Sequence, residues 1–115
     1  ALTGRDLTVY GNGSQTRSFC HVNDMIVGLV ALLNSNIDEP VNIGNPDERT
    51  ILELAELVIE VTESESGIPY EELPPQDPEV RRPDISKAKW EVGWEPSINL
   101  RDGLERSAQY FENRV

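Results

Sequence analysis

The segment from Asn23 to Leu33 restricts the fold more than any other part of the sequence. Its apolar residues are spread around a whole helical circumference: Met25, Ile26, Val27, Leu29, Val30, Leu32 and Leu33. A helix that is apolar on all sides is buried on most of them. A chain of 115 residues offers little protein for that purpose. We therefore expect this helix to pack against protein that lies outside the sequence.

Short strands and helices alternate along the remainder of the chain. Strands are predicted over Leu7–Tyr10, Arg17–Cys20 and Val41–Ile43, with a weaker edge strand over Ile68–Tyr70. Helix starts are predicted at Asn23 or Asp24, at Thr50, at Asp84 and at Asn99. Thr50 and Glu53 form a capping box for a helix that ends near Thr62, and the helix from Asp84 stops at Gly93. This α/β pattern has too few and too short strands for an independent doubly wound sheet. It suits a subdomain that becomes mixed α+β when isolated.

Composition excludes several classes of function. The net charge is −11, and only two of the ten basic residues are lysines, which argues against nucleic acid as a partner. No run of roughly 18 apolar residues is present, so we expect no membrane span. The single cysteine, Cys20, cannot form an internal disulfide, and a cytoplasmic location is the expectation. The start Ala1-Leu2-Thr3-Gly4 lacks an initiator Met and a secretory signal, which suggests a cut inside a longer protein.

Cofactor and metal motifs are missing from the sequence. Gly11-Asn12-Gly13 follows a predicted strand but precedes no helical pattern, so it is not a dinucleotide-binding turn. No Cys or His pair has metal-ligand spacing, and we expect no metal. Cys20 and His21 are neighbours on a predicted strand, where their side chains point to opposite faces. A Cys–His nucleophile is therefore not expected.

Arginines beside turns are the remaining candidates for chemistry. Arg17 follows the turn Gly13 to Thr16, and Arg81-Arg82 precede Pro83-Asp84. The planar guanidinium fork suits a diphosphate, because two N–H groups can meet two oxygens with charge assistance. The alternative is a surface ion pair with one of the 21 carboxylates, which contributes little. The residues alone favour the ion pair.

Five motifs in order carry a resemblance to a known family: Tyr10-Gly-Asn-Gly-Ser-Gln-Thr-Arg-Ser-Phe19, Val22-x-Asp24, Asn42-Ile-Gly-Asn-Pro46, Arg81-Arg-Pro-Asp-Ile85-x-Lys-Ala-Lys89 and Gly93-Trp-Glu-Pro96. Together they resemble the C-terminal half of the extended short-chain dehydrogenase/reductases, over essentially the whole chain. Thr16-Arg17-Ser18-Phe19 and Arg81 to Ile85 are most similar to the UDP-glucuronate decarboxylase branch. The sequence departs from the family pattern at His21 and Val92.

This resemblance implies that residues 1–115 are a C-terminal nucleotide-sugar-binding subdomain, packed on an N-terminal Rossmann domain that is absent here and that binds NAD. The implied enzyme is an NAD-dependent carboxy-lyase: sugar C4 gives a hydride to NAD, the C6 carboxylate leaves as carbon dioxide, and NADH reduces the ketone to give UDP-xylose. The implied partners are a UDP-sugar, the Rossmann domain and, for the whole enzyme, a second copy in a homodimer. The chain alone should be inactive, with no catalytic residue of its own.

The resemblance also implies a set of substrate-binding residues. Val9, Tyr10 and Gln15 would lie near the nucleoside, Arg17 and Arg81 at the diphosphate, and Asn42 at the ribose or diphosphate. Four of these have a competing structural role: Val9 could be buried in the core, Tyr10 could cover the sheet edge, and Gln15 and Asn42 could satisfy their own turns.

Two other functions stay open on the sequence. A dTDP-glucose 4,6-dehydratase or UDP-hexose 4-epimerase would use the same framework. A non-catalytic nucleotide-sugar-binding module would bind its ligand through Arg17 and Arg81 without turnover. Asp24 is interpreted as a helix cap and Trp94 as packing at a helix stop.

Overall fold

The computed structural model describes residues 1–73 and 82–114. In chain order its elements are β1 Val9–Tyr10, β2 Thr16–Ser18, α1 Val22–Leu33, β3 Glu48–Thr50, α2 Ile51–Thr62, β4 Tyr70–Glu71, a π-helix Ala88–Val92 and α3 Leu100–Glu112. Contacts divide the chain into two compact units. The first holds Ala1–Arg17, Arg49–Arg81 and Arg101–Val115, and the second holds Ser18–Glu48 and Arg82–Leu100. The predicted mixture of helices and short strands is confirmed.

The first unit is organised around the short strand β1. This strand pairs in parallel with β4, with Val9 opposite Tyr70, while β2 and β3 form a separate two-stranded sheet. Val9 is 1% exposed and its backbone N–H donates to the Pro69 carbonyl at 2.8 Å. The edge strand predicted from Ile68 thus begins later, at Tyr70. Pro69 lacks an N–H and contributes only its carbonyl oxygen.

Helix α2 forms where the sequence predicts it. The Thr50 hydroxyl accepts from the Glu53 N–H at 3.0 Å, and the Glu53 carboxylate accepts from the Thr50 N–H at 3.2 Å. The helix ends at Thr62, and Glu63 follows in the left-handed conformation. The capping box and the predicted end are both confirmed.

The second unit contains α1, which presents two very different sides. On its inner side a Cβ at Gly28 would lie 3.0 Å from both Ile43 and Trp94, so these side chains pack directly on the helix backbone. Elsewhere on the helix, six large apolar side chains are each 51–83% exposed: Val22, Ile26, Val27, Leu29, Val30 and Leu33. We call these six residues the α1 apolar surface. No helix in residues 1–73 and 82–114 is long and apolar enough to cross a membrane.

Two sequence expectations in this unit are wrong. The N-cap of α1 is His21, whose Nδ1 accepts from the Asn23 N–H at 3.1 Å, and Asp24 lies inside the helix with a buried carboxylate. The strand predicted over Val41–Ile43 is absent, and the strand in this region is β3 at Glu48–Thr50. A strand forms only where a second backbone completes its hydrogen bonds. In the described chain, β2 provides that partner for β3.

The C-terminal helices follow the predicted starts and stops. The Asp84 carboxylate accepts from the Ser86 N–H at 3.0 Å, the bond expected of an N-cap residue. The helical segment that follows ends in the π-helix, with Gly93 as its C-cap. Helix α3 begins directly after Asn99. Of the extended segment predicted over residues 73–83, positions 74–81 lie outside the described residues.

Candidate functional site

The turn that leads from β1 to Arg17 lies against the start of α2, inside the first unit. At its centre Gly13 has a φ of +76°, and a Cβ there would lie 2.8 Å from Leu52 Cβ and 3.0 Å from Val9 Cγ1. Only glycine meets both demands without strain, because it tolerates positive φ and has no side chain. The glycine-rich sequence therefore produces close packing of a turn on a helix, and no dinucleotide loop.

Backbone carbonyls of this turn complete the N-terminus of α2. The Ile51 N–H donates to the Gln15 carbonyl at 2.9 Å, and the Leu52 N–H donates to the Gly13 carbonyl at 3.0 Å. The third donor, the Glu53 N–H, is taken by Thr50. A free helix N-terminus can bind a phosphate through such donors. In α2 they are already used, so the start of this helix does not offer its first N–H groups to an anion.

Arg17 is the cationic side chain that the turn presents. It is half-buried, lies in β2, and its Nη1 donates to the Thr16 carbonyl at 2.6 Å. The neighbouring Thr16 hydroxyl is buried without a hydrogen-bond partner among the described residues. The guanidinium is thus held close to the backbone that follows the turn.

The other predicted residues of the first unit have clear local roles. Gln15 is only 6% exposed, and its side-chain amide donates to the Tyr10 carbonyl at 3.0 Å. Tyr10 itself is about half exposed, while the Val9 side chain belongs to the core. The structure therefore brings Val9, Tyr10, Gln15 and Arg17 together around one turn, with Tyr10 and Arg17 the more accessible members.

The remaining predicted residues lie elsewhere. Asn42 belongs to the second unit, is exposed, and its amide donates to the Asp84 carbonyl at 3.4 Å. Arg81 lies outside the described residues. Its neighbour Arg82 lines an open cleft of about 920 Å³ within the second unit, together with Asp84, Lys89 and the exposed Trp90.

Asp24 is a polar residue whose buried position was not predicted from the sequence. The residue is 5% exposed, and its carboxylate accepts from the Ser97 N–H at 3.1 Å, the Ser97 hydroxyl at 3.1 Å and the Ile98 N–H at 2.9 Å. Burial raises the pKa of this carboxyl, but the hydrogen bonds from Ile98 and Ser97 outweigh burial, so the pKa lies below its ordinary value. The Trp94 indole N–H donates to the Asp24 carbonyl at 3.0 Å. A lone carboxylate within an apolar helix was the available signal.

Cys20 and His21 are each engaged with local backbone. The thiol contacts the His21 carbonyl at 3.6 Å, and burial, followed by the negative charge of Asp24, raises the pKa of the Cys20 thiol. The His21 ring caps α1. A raised pKa disfavours the thiolate that nucleophilic chemistry requires.

The described residues do not fit a metal or a dinucleotide cofactor. Among residues 1–73 and 82–114, no group of three or more His, Cys, Asp or Glu side chains could hold a metal ion. The glycine turn enters a strand, and the donors at the start of α2 are occupied. A Rossmann cofactor site needs a glycine turn that opens into a helix with free N–H groups.

Comparison with known proteins defines the class. Residues 1–107 match the family model described as GDP-mannose 4,6 dehydratase. The chain belongs to this family, within the extended short-chain dehydrogenase/reductases, which confirms the fold resemblance.

Its relatives define the branch. The chain is 52% identical over 115 residues to UDP-glucuronic acid decarboxylase 1 of Danio rerio, covering all of this chain and 28% of the relative. It is 50% identical over 115 residues to UDP-glucuronic acid decarboxylase 3 of Arabidopsis thaliana, covering all of this chain and 34% of the relative. The resemblance to the decarboxylase branch is thus confirmed, and the chain spans about a third of the length of these relatives.

Solved structures of related enzymes share the fold. The UDP-glucose 4-epimerase of Thermotoga maritima, solved with UDP-glucose, has a TM-score of 0.93 at 27% identity, covering 98% of this chain and 37% of that one. The UDP-glucuronic acid 4-epimerase of Bacillus cereus, solved with UDP-glucuronic acid and NAD, has a TM-score of 0.90 at 31% identity, covering 99% and 37%.

Proposed function

We propose that this chain binds the diphosphate of a UDP-sugar as the C-terminal part of a UDP-glucuronate decarboxylase that forms UDP-xylose. The observation that carries the proposal is the placement of Arg17. The turn before it is fixed on α2, Arg17 is half-buried directly after that turn, and an arginine fork can meet two phosphate oxygens with charge assistance.

Identity to relatives supports the decarboxylase over the other activities of the family. The two decarboxylases compared above are 50–52% identical to this chain, whereas the two epimerases of known structure compared above are 27–31% identical. The alternative is a UDP-hexose 4-epimerase or dTDP-glucose 4,6-dehydratase, favoured by the close fit of the fold to both kinds of enzyme. Incubating the full-length protein with each substrate distinguishes them: a decarboxylase converts UDP-glucuronate into carbon dioxide and UDP-xylose, a UDP-hexose 4-epimerase converts UDP-glucose into UDP-galactose, and a dehydratase removes water from dTDP-glucose.

We assign the binding roles as follows. Val9 and Tyr10 lie beside the nucleoside. Arg17 and Arg81 bind the diphosphate, and Asn42 contacts the ribose or diphosphate. Gln15 holds the turn between Tyr10 and Arg17. In this assignment the chain supplies binding and orientation, and none of its residues has a proton-transfer role.

The α1 apolar surface favours the presence of a second domain in the intact enzyme. Six neighbouring large apolar side chains that are each more than half exposed are typical of a surface that binds other protein. We propose that an N-terminal Rossmann domain covers them, binds NAD, and forms the homodimer of the whole enzyme. The 115-residue chain incubated with UDP-glucuronate and NAD should then release no carbon dioxide above a blank. Release by the purified chain would overturn this division of labour.

Replacing Arg17 tests the binding site. An arginine–phosphate contact contributes on the order of 1.5–3 kcal/mol, so Arg17→Ala should weaken UDP binding about tenfold to a hundredfold. Arg106→Ala is the matched control, since it removes the same charge from the exposed face of α3 and should leave the UDP dissociation constant within about twofold. Calorimetric titration of UDP and of uridine checks both variants, and uridine binding should be unaffected. Equal UDP dissociation constants for wild type and Arg17→Ala would remove Arg17 from the site.

A further inference from the structure

Gln15 is a buried amide in the turn between β1 and β2. Its neighbours Asn12 and Ser14 are exposed, whereas Gln15 is 6% exposed. Burying a polar side chain is unfavourable unless it is hydrogen-bonded. Its Nε2 donates to the Tyr10 carbonyl at 3.0 Å, which closes the turn from inside. One amide donor of Gln15 is therefore used by the turn itself.

The same residue is also joined to α2 through its backbone. The Gln15 carbonyl accepts from the Ile51 N–H at 2.9 Å, beside the bond from the Leu52 N–H to the Gly13 carbonyl at 3.0 Å. Gln15 therefore links three points: the end of β1 by its side chain, the start of α2 by its carbonyl, and β2 by the chain itself. Loss of the hydrogen bond from the Gln15 amide to the Tyr10 carbonyl would release the turn from the end of β1.

Arg17 is placed by the backbone that Gln15 fixes. Arg17 stands two residues after Gln15, and its Nη1 donates to the carbonyl of the intervening Thr16. A shift of the peptide between Gln15 and Thr16 would move both the Arg17 backbone and this acceptor. The direction of the guanidinium therefore depends on the closed turn.

We propose that Gln15 is a positioning residue for the nucleotide site: without touching the nucleotide, it strengthens UDP binding by holding Arg17 in register with the diphosphate. This inference rests on the proposed function. It departs from the family-based expectation that Gln15 lies against the nucleoside.

A double-mutant cycle on the chain separates positioning from contact, with UDP as the titrated probe. Gln15→Met has nearly the same size but no donor, and it should weaken UDP binding about threefold to tenfold. Added to Arg17→Ala it should produce less than about a 1.5-fold further change, because a residue that acts through Arg17 has no effect once Arg17 is gone. If the double variant loses UDP affinity by the product of the two single fold-losses, Gln15 contacts the nucleotide independently of Arg17, and the proposal is overturned.

Hydrogen exchange supplies a readout that needs no ligand. In Gln15→Met the Ile51 and Leu52 amides should exchange at least about fivefold faster, while the Leu7 amide, bonded to the Gly67 carbonyl in the same unit, should not change. Unchanged exchange at Ile51 and Leu52 would overturn the positioning role. The proposed function fails on a different variant, by equal UDP affinity of wild type and Arg17→Ala, so the two failures are told apart.

Two further variants guard against a simple folding defect. Gln15→Glu can donate to the Tyr10 carbonyl only when protonated, so its loss of UDP affinity relative to wild type should shrink as the pH is lowered from 8 to 5. Ser66→Ala removes another buried polar group of the first unit, which bonds Ser64, and should leave UDP affinity unchanged. An equal loss in Ser66→Ala, or a deficit in Gln15→Glu that does not depend on pH, would reduce Gln15 to general stability and sink the inference.

Discussion

Helices α1 and α2 have the same length, 12 residues, but they differ in which side chains they expose to solvent. In α2, glutamates at positions 53, 56 and 60 interrupt the apolar residues, and none of its large apolar side chains is exposed. In α1 the exposed positions are mostly apolar, and the buried ones are Asp24 and Gly28. Both helices are rich in apolar residues, but only α2 has polar residues at its exposed positions. The chain therefore covers the apolar residues of α2 and leaves most of those of α1 exposed.

The two helices also differ in what holds their starts. The N–H donors of α2 are met by Thr50 and by two turn carbonyls, which ties the helix to the candidate site. Near the start of α1 a buried carboxylate receives three hydrogen bonds from Ser97 and Ile98. The start of α2 is thus held by neutral backbone and hydroxyl groups. The start of α1 is held by the His21 ring and by the buried Asp24 charge, so the two can be disrupted by separate substitutions.

The largest effect is expected at Gly13, which breaks the α2 side of the comparison. An alanine Cβ would lie 2.8 Å from Leu52 Cβ at a φ of +76°, so strain and overpacking should together cost about 3 kcal/mol. Gly4→Ala is the matched control: its φ is +78° with no atom within 4 Å of the added Cβ, and it should cost about 1 kcal/mol. Urea unfolding of both variants measures the difference. Equal losses would mean that the turn does not pack tightly on α2.

Asp24→Ala breaks the α1 side. It leaves the Ser97 and Ile98 N–H groups without their acceptor in a part-buried place, which should cost about 2 kcal/mol. The pKa of Asp24 is lowered in the folded chain, so its contribution is present above the unfolded pKa of about 3.9 and is lost as the pH falls through the folded pKa. The stability difference between wild type and Asp24→Asn should therefore be constant near neutral pH and shrink below about pH 4. A difference that stays constant down to pH 2 would show that the charge is not involved.

Sequence reasoning succeeded where local chemistry decides and failed where distant residues decide. Thr50 and Glu53 define α2 because they bond each other across a single turn. The strand at Glu48–Thr50 was missed because its partner β2 lies about 30 residues earlier in the chain. The cap at His21 was missed because asparagine and aspartate are the commoner caps, and both follow it in the sequence.

The candidate site divides in the same way. The turn before Arg17 was predicted, because the glycines and Asn12 indicate it locally. Its packing on the start of α2 was not predicted, since the bonds from Ile51 and Leu52 join residues more than 30 positions apart. That packing makes Gln15 a buried link, a role that the sequence alone could not distinguish from ligand contact.

A pair of valines sharpens the comparison of the two helices. Val58 on α2 is half-buried, and Val58→Ser should cost about 1.5 kcal/mol through lost apolar burial. Val27 on α1 is 60% exposed, and Val27→Ser should change stability by less than about 0.5 kcal/mol while reducing the binding of a hydrophobic dye. Chemical denaturation and dye fluorescence measure the pair. If Val27→Ser destabilises the chain as much as Val58→Ser does, the α1 apolar surface is buried within the chain in solution, and the second-domain proposal loses its support.

The smallest effects are expected at the two helix caps, which differ in kind. Thr50→Ala removes the acceptor of the Glu53 N–H and should cost about 1 kcal/mol, whereas Thr50→Ser keeps that acceptor and should be nearly neutral. His21 caps α1 only through Nδ1, which accepts from the Asn23 N–H, so any short side-chain acceptor can replace it. His21→Asn should therefore change stability by less than about 0.5 kcal/mol, and His21→Ala should cost more than His21→Asn does. Thermal unfolding of the four variants at one pH measures these differences. A large loss of stability in His21→Asn would show that the imidazole does more than cap the helix. The other contribution would be its interaction with the nearby Asp24 charge, which helps to lower the Asp24 pKa. Repeating His21→Asn and His21→Ala in an Asp24→Asn background would then measure that interaction.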